Sequence, residues 1–146
     1  MQRITPDQTH PLFNTEATRR LEQAVAAQLA PHTLMQRAGL AVAQLAQAIA
    51  PHARTIWIAC GPGNNGGDGL EAAMHLHQGL HRHGVAVTVT WLGQPGRAPA
   101  DAQHSWQRAC DAGVSFSNTL PTHLDARDLC IDALLGIGLA PGDQRP

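Results

Sequence analysis

Between residues 60 and 70 the chain runs Cys60-Gly61-Pro62-Gly63-Asn64-Asn65-Gly66-Gly67-Asp68-Gly69-Leu70, and five of these eleven residues are glycine. A short apolar run, Thr55 to Cys60, precedes it. After it Leu70, Ala73, Leu76 and Leu80 recur at helical spacing until Gly84 supplies a C-cap. The unit reads as a strand, a glycine loop and a helix. Glycine admits close approach of the backbone to a bound group, and the first amides of the helix have no partner within it. A ligand is expected at this turn.

The rest of the chain extends the alternation. Asn14 or Thr15 is placed to cap a first helix carrying Leu21, Ala24, Val25 and Leu29, which Pro31 stops. Thr33 is placed to cap a second, with Met35, Ala38, Val42, Leu45 and Ile49 as its packing stripe and Pro51 at its end. Beyond the glycine helix, Val85 to Trp91 reads as a second strand and Asp101 to Ala112 as a helix stopped by Gly113. Val114 to Ser117 follows as a short third strand and Leu129 to Asp132 as a fourth.

Strands alternating with helices imply an α/β fold, a doubly wound parallel sheet in three αβα layers with right-handed crossovers. The expected layout is a single domain over 1–146, with two N-terminal helices in 14–50 laid over the sheet or the glycine loop and the core in 55–146. In the usual strand order 3-2-1-4, strands one and four are neighbours at the switch point, which brings Asp132 to the glycine loop.

Composition removes several alternatives. A net charge of −1 with no run of like charges argues against nucleic-acid and membrane-surface binding. All ten basic residues are arginine, so the chain offers no lysine for a Schiff base or a Walker-type phosphate contact, and a phosphotransferase falls far behind. Cys60, Cys110 and Cys130 are odd in number, far apart and in no C-x-x-C arrangement, which suits a reducing compartment and points to the cytoplasm. Cys60 and Cys130 end or lie within apolar runs and read as small core residues. With two Phe and no Tyr, the core is expected to be aliphatic.

Gly61, Gly63 and Gly66 satisfy G-x-G-x-x-G, but the second strand ends Thr90-Trp91-Leu92 without the acid that holds a ribose hydroxyl in a nicotinamide dehydrogenase. Asp68 near the helix start would also repel a pyrophosphate. Two plain readings stand beside the functional ones: Asp68 as an N-cap, and Asp132 as a cap on the turn that follows it. Against them, two asparagines and two acids around one loop are an excess of oxygen donors for a simple turn, and suit a hard cation. His75, His77, His81 and His83 cluster at helical spacing without an acidic third ligand, and read as a solvated helix face rather than a zinc site.

Three stretches in order carry a family resemblance: Leu34-Met35-Gln36-Arg37-Ala38-Gly39, the glycine run itself, and Ile131-Asp132-Ala133-Leu134-Leu135-Gly136-Ile137-Gly138-Leu139. With these the chain resembles the amino-terminal half of NAD(P)H-hydrate epimerase domains. The resemblance implies a Rossmann-like domain that interconverts the R and S forms of hydrated NADH and NADPH, a repair of damaged nicotinamide nucleotides. It implies that Asn64, Asn65, Gly66, Gly67 and Asp68 contact the nucleotide and that Asn65 and Asp132 hold a potassium ion. It also implies a second nucleotide loop at Gly136, Ile137, Gly138, Leu139, Ala140, Pro141 and Gly142. A dehydratase domain or partner and a homodimer belong to the same expectation.

Asp132 or Asp68 is the candidate proton donor and acceptor, because the epimerised carbon bears a hydroxyl beside a ring nitrogen. Two departures from the family pattern stand out. Ile137 occupies a place where the family has a threonine, and the chain ends at Pro146, before a further nucleotide-contacting aspartate and a potassium-binding serine. The sequence is therefore expected to be a fragment or to be completed by another chain, with an uncovered sheet face. The alternative function is a truncated, non-catalytic nucleotide-binding or interaction module.

Overall fold

The computed structural model describes residues 5–137. Its sheet has four parallel strands in the order β3-β2-β1-β4, with β1 at Thr55–Cys60, β2 at Ala86–Trp91, β3 at Ser115–Phe116 and β4 at Leu129–Ala133. The helices are α1 at Thr15–Ala26, α2 at Thr33–Ile49, α3 at Asn64–Leu80 and α4 at Ala100–Asp111. The parallel α/β class and the strand order are those the alternating pattern predicts. None of the helices among the described residues is long and apolar enough to cross a membrane.

Strand β1 is central because its apolar run is enclosed. Ile56, Ile58 and Cys60 are buried against α3, and the strand pairs with β2 from Thr55↔Ala86 to Cys60↔Trp91 and with β4 from Ile56↔Leu129 to Cys60↔Ala133. The core is aliphatic as expected: Ile56, Ile58, Leu70, Leu76, Val87 and Val89 meet there. Full enclosure of Leu70 and Leu76 contributes about 2 kcal/mol each. Helix α3 ends through a 3-10 turn, His81–His83, at Gly84, whose φ of 76° closes the C-cap.

Helices α3 and α4 pack against each other on one face of the sheet. The passage from β3 to β4 contains no helix, so of the three expected layers two form among the described residues. The second face, which carries Trp57 and Thr90, is covered only in part, by the bond from Trp57 Nε1 to Thr90 Oγ1 at 3.0 Å and the approach of Thr119 to Thr90. Cys130 lies on that face and is exposed, contrary to its expected place in the core. Its neighbours Leu129 and Ile131 point the other way, into the core, because strand side chains alternate.

The N-terminal helices differ from expectation in detail. Asn14 caps α1, its Oδ1 accepting from the Ala17 amide at 2.9 Å. The helix stops at Ala26, short of Leu29 and Pro31, where the Gln28 and Leu29 amides turn back on Val25 and Ala26. Thr33 does not cap α2. It is the first helical residue, and its hydroxyl donates to the Ala30 carbonyl at 2.7 Å while His32 holds the N-cap position. The face of α2 that packs is Met35, Gly39, Ala43 and Ala46, and Leu45 and Ile49 of the expected stripe are exposed. Close approach of α2 to α3 selects small residues: a Cβ on Gly39 would lie 2.5 Å from Glu71 Cβ.

Glu71 itself is fully enclosed and ion-paired. Arg108 Nη2 stands 2.9 Å from its Oε1, Arg108 Nε donates at 3.2 and 3.1 Å, and the Ser105 hydroxyl donates to Oε2 at 3.1 Å. This network joins α3 to α4. A buried carboxylate is tolerated because each oxygen has a partner.

Candidate functional site

The glycine loop turns directly from β1 into α3, which starts at Asn64 with Gly63 as its N-cap. Asp68 therefore is not an N-cap but lies in the second turn of α3. No capping side chain occupies the helix start, so the first amides remain available to an anion. The turn is tight enough to demand glycine. A Cβ on Gly61 would fall 1.8 Å from the Leu134 carbonyl oxygen, and one on Gly66 would fall 1.9 Å from the Gly61 carbonyl oxygen.

The end of β4 is stitched to this loop. The Gly61 amide donates to the Ala133 carbonyl at 3.0 Å, and the Asn65 side-chain amide donates to the Leu135 carbonyl at 3.2 Å. Gly136 lies against Asn65, where an added Cβ would be 3.1 Å from Asn65 Cβ. The two stretches that sequence reading paired are thus brought together. Trp91, at the end of β2, seals the loop from the other side with a bond from Nε1 to the Gly61 carbonyl at 3.1 Å.

A cavity of about 1000 Å³ opens over this junction. Pro62, Gly63, Asn64 and Asn65 form its floor with Asp68 on the wall above them, Leu134, Leu135, Gly136 and Ile137 one side, and Arg19, Glu22, Gln23 and Ala26 of α1 another. Leu34, Met35 and Ala38 of α2 and Pro99 and Asp101 before and on α4 complete it. Of the two N-terminal helices expected over the sheet or the glycine loop, α1 borders the cavity through Arg19, Glu22, Gln23 and Ala26. Sequence reading missed Arg19, Glu22 and Asp101. Their only signal was a polar residue on an amphipathic helix, which surface helices carry everywhere.

Asp68 is half-buried on the cavity wall. Burial pushes its carboxyl up to about 6, and the negative charges of Glu22 and Asp101 push in the same direction. Such a group exchanges protons near neutrality. Burial alone takes the Cys60 thiol up to about 12, which keeps it an inert core residue.

Asp132 is placed differently from the expectation that it faces Asp68. It pairs in register with Ala59, its side chain is exposed, and its Oδ1 accepts the Leu134 amide at 2.9 Å. Since Ala133 faces the core, Asp132 faces the opposite side of the sheet, and it does not line the cavity. The plain reading of Asp132 as a cap on the next turn describes this bond. Gly138, Leu139, Ala140, Pro141 and Gly142 of the expected second loop lie outside the described residues.

In donor chemistry Asn65 and Asp132 suit a potassium ion: Asn65 uses its amide nitrogen on Leu135 and keeps Oδ1, and the Asp132 carboxylate keeps Oδ2, both hard oxygens. Among the described residues no group of three or more His, Cys, Asp or Glu is arranged to hold a metal ion. His77 and His81 of the histidine cluster stack with ring centroids 5.0 Å apart on the surface of α3 and the turn after it.

Comparison with known proteins follows the same residues. The family described as YjeF-related protein N-terminus matches residues 31–146. The chain is 43% identical over 125 residues to a Bordetella pertussis protein named NAD(P)H-hydrate epimerase, covering 83% of this chain and 52% of that protein. A Caenorhabditis elegans protein of the same name is 36% identical over 114 residues, covering 77% of this chain and 45% of its own. The bifunctional NAD(P)H-hydrate repair enzyme Nnr of Thermofilum pendens is 34% identical over 114 residues, covering 73% and 21%. The chain spans about half the length of the single-function relatives it matches.

The crystal structure of the yeast protein ynu0 superposes with a TM-score of 0.65 over 88% of this chain and 59% of that one, at 22% identity, and shares the fold. With the family match extending over the helix α2, the glycine loop and the β4 turn that build the cavity, the chain belongs to the YjeF-related protein N-terminus family.

Proposed function

We propose that the protein interconverts the R and S epimers of hydrated NADH and NADPH, as part of nicotinamide nucleotide repair. The observation that carries this reading is Asp68, a half-buried carboxyl pushed up to about 6 on the wall of a cavity whose floor is the unpartnered start of α3. The names of the relatives supply the substrate class. The helix start, with its aligned amides, receives the pyrophosphate.

The hydrated ring then lies toward Asp68. The carboxyl proton passes to the ring hydroxyl, the C–O bond breaks with its electron pair leaving on water, and the ring nitrogen's lone pair forms a C=N bond. Water adds to the other face of that carbon, the C=N pair returns to nitrogen, and Asp68 recovers a proton. No net acid or base is consumed. Asn64 contacts the nucleotide from the floor, whereas Gly66 and Gly67, expected to touch it, are buried beneath the cavity against Gly61 and against Met35 and Ala102 and act by keeping the turn tight. Gly136 to Gly142 form the second nucleotide contact.

Asn65 Oδ1 and Asp132 would hold potassium, whose positive charge, when bound, favours the anionic nucleotide beside the loop. Asp132 acts through the turn it caps rather than as the proton donor, because its carboxylate faces away from the cavity. A dehydratase, fused or separate, consumes the S epimer; the relative named a bifunctional NAD(P)H-hydrate repair enzyme supports a second repair activity beside this one. Cysteine usage that suits a reducing compartment supports a cytoplasmic reaction.

The test is chiral chromatography of hydrated NADH incubated with the purified protein. Equilibration of the two epimers well above the protein-free rate is expected. Equilibration at the protein-free rate, with nucleotide binding retained, would instead leave a binding module.

A further inference from the structure

The α4 wall enters that chemistry only through the charge of Asp101 on Asp68, yet more is built around it than that role needs. Gly67 is the point where three helices meet: an added Cβ there would lie 2.6 Å from Met35 Sδ on α2 and 2.9 Å from Ala102 Cα on α4. The residues next to this contact in each helix, Leu34, Asp68 and Asp101, all line the cavity. Asp101 is thereby fixed on the same wall as Asp68.

His32 orients it. Among the described residues His32 is the one non-glycine with positive φ, at 65°, a conformation that glycine or asparagine adopts at less strain. It holds the N-cap position of α2 but makes no capping bond with its side chain. Its imidazole instead crosses to α4, where Nδ1 stands 2.5 Å from Asp101 Oδ1 and the ring stacks on His104 with centroids 4.0 Å apart and planes 11° from parallel. A strained residue that gives up the local cap for a distant contact points to a use for that contact.

An acid in the first turn of α4 is favoured by the helix dipole alone. That accounts for Asp101 but not for the histidine that pins it. With Oδ1 engaged, Oδ2 has no hydrogen-bond partner among the described residues, and Asp101 lines the cavity. A carboxylate takes neutral hydroxyl donors and repels phosphate. In dinucleotide-binding folds an acid at the end of β2 takes ribose hydroxyls. Here that place is filled by Trp91, whose indole is committed to Gly61.

We propose that Asp101, oriented by His32, is the ribose-binding residue of this cavity and accepts the hydroxyls of the ribose attached to the nicotinamide ring. The assignment to that ribose rests on the epimerase reading, which puts the hydrated ring beside Asp68.

The test uses two probes that the purified protein binds at equilibrium, reduced nicotinamide mononucleotide, which carries the ribose, and inorganic pyrophosphate, which does not. Asp101→Ala and His32→Gly are compared with the parent. The second variant is expected to fold because glycine relieves the positive φ, and its thermal midpoint checks this. Loss of a charged hydrogen bond predicts that both variants weaken the mononucleotide about tenfold and leave pyrophosphate within about twofold. Equal weakening of both probes, or no change in either, overturns the proposal. If the variants bind and turn over like a parent that epimerises, the ribose assignment alone falls. A parent that neither binds the mononucleotide nor epimerises takes the epimerase reading down with it.

Discussion

Asn65 donates its side-chain amide to the backbone carbonyl of Leu135 at 3.2 Å, tying the first turn of α3 to the loop that follows β4. One hydrogen bond thereby joins two stretches that lie about seventy positions apart in the chain and leaves the Asn65 side-chain oxygen for a cation.

Replacing Asn65 by Ala removes both the tether and the oxygen. Epimerisation of hydrated NADH by Asn65→Ala is expected to fall about tenfold and to lose its response to added potassium chloride, since a hydrogen bond of this kind contributes about 1 kcal/mol and the oxygen is a proposed ion ligand. Rates measured across a potassium series, with sodium holding ionic strength constant, check it. An undiminished potassium response would remove Asn65 from the ion site.

Asp68 makes a pH prediction with a definite sign. Its folded value of about 6 lies above the ordinary 3.8, so the folded state binds the proton more tightly than the unfolded chain. Stability therefore falls as pH rises from about 4 to about 6, and Asp68→Asn should be the more stable protein at pH 7, by about 1 kcal/mol once solvent screening of a partly exposed group is allowed for. Turnover that needs the protonated carboxyl declines as pH rises through 6 in the parent. The variant is expected to lose about a hundredfold in rate while still binding reduced nucleotide. Thermal midpoints at pH 5 and 7, beside rate profiles, test both halves.

The Glu71–Arg108 pair predicts an asymmetry between single and double substitution. Arg108→Ala leaves a fully enclosed carboxylate without its cation and is expected to destabilise the fold by about 3 kcal/mol. Glu71→Met combined with Arg108→Leu removes both charges and should recover most of that loss. Urea denaturation of the parent, Arg108→Ala and the double variant decides, and a double variant no more stable than Arg108→Ala would overturn the expectation.

The glycine loop predicts unequal tolerance within one motif. Gly66→Ala would set a methyl 1.9 Å from a backbone oxygen, whereas an added Cβ on Gly63 meets nothing within 4 Å. The first is expected to cost about 3 kcal/mol or more, or to prevent folding, and the second less than about 1 kcal/mol. Thermal unfolding of the two variants separates them.

Much of this protein is legible in the local chemistry of its chain. The run Thr55 to Cys60 is a strand because nothing but enclosure suits it, and Gly84 and Gly113 stop helices where their positive φ, 76° and 83°, is needed. Asn14 caps because its side chain reaches an amide three residues on. Thr33 misled for the same kind of reason: a threonine before an apolar helix is a good cap in isolation, but His32 is held one residue earlier by Asp101, from the other half of the chain. The stripe on α2 misled because size and burial part company where two helices approach closely. Gly39, Ala43 and Ala46 pack there, and Leu45 and Ile49 do not.

The strand-loop-helix unit, the parallel sheet order and the meeting of the glycine loop with the end of β4 are written in the chain, because periodicity and glycine placement act over a few residues and right-handed crossovers leave few topologies. Which acids share the cavity is set by packing in three dimensions. Strand pleating turned Asp132 to the far face of the sheet, while the contact of α2, α3 and α4 at Gly67 set Asp101 on the wall with Asp68. The direction of a side chain on a strand, and the distance between residues on different helices, are fixed by packing and not by neighbours in the chain.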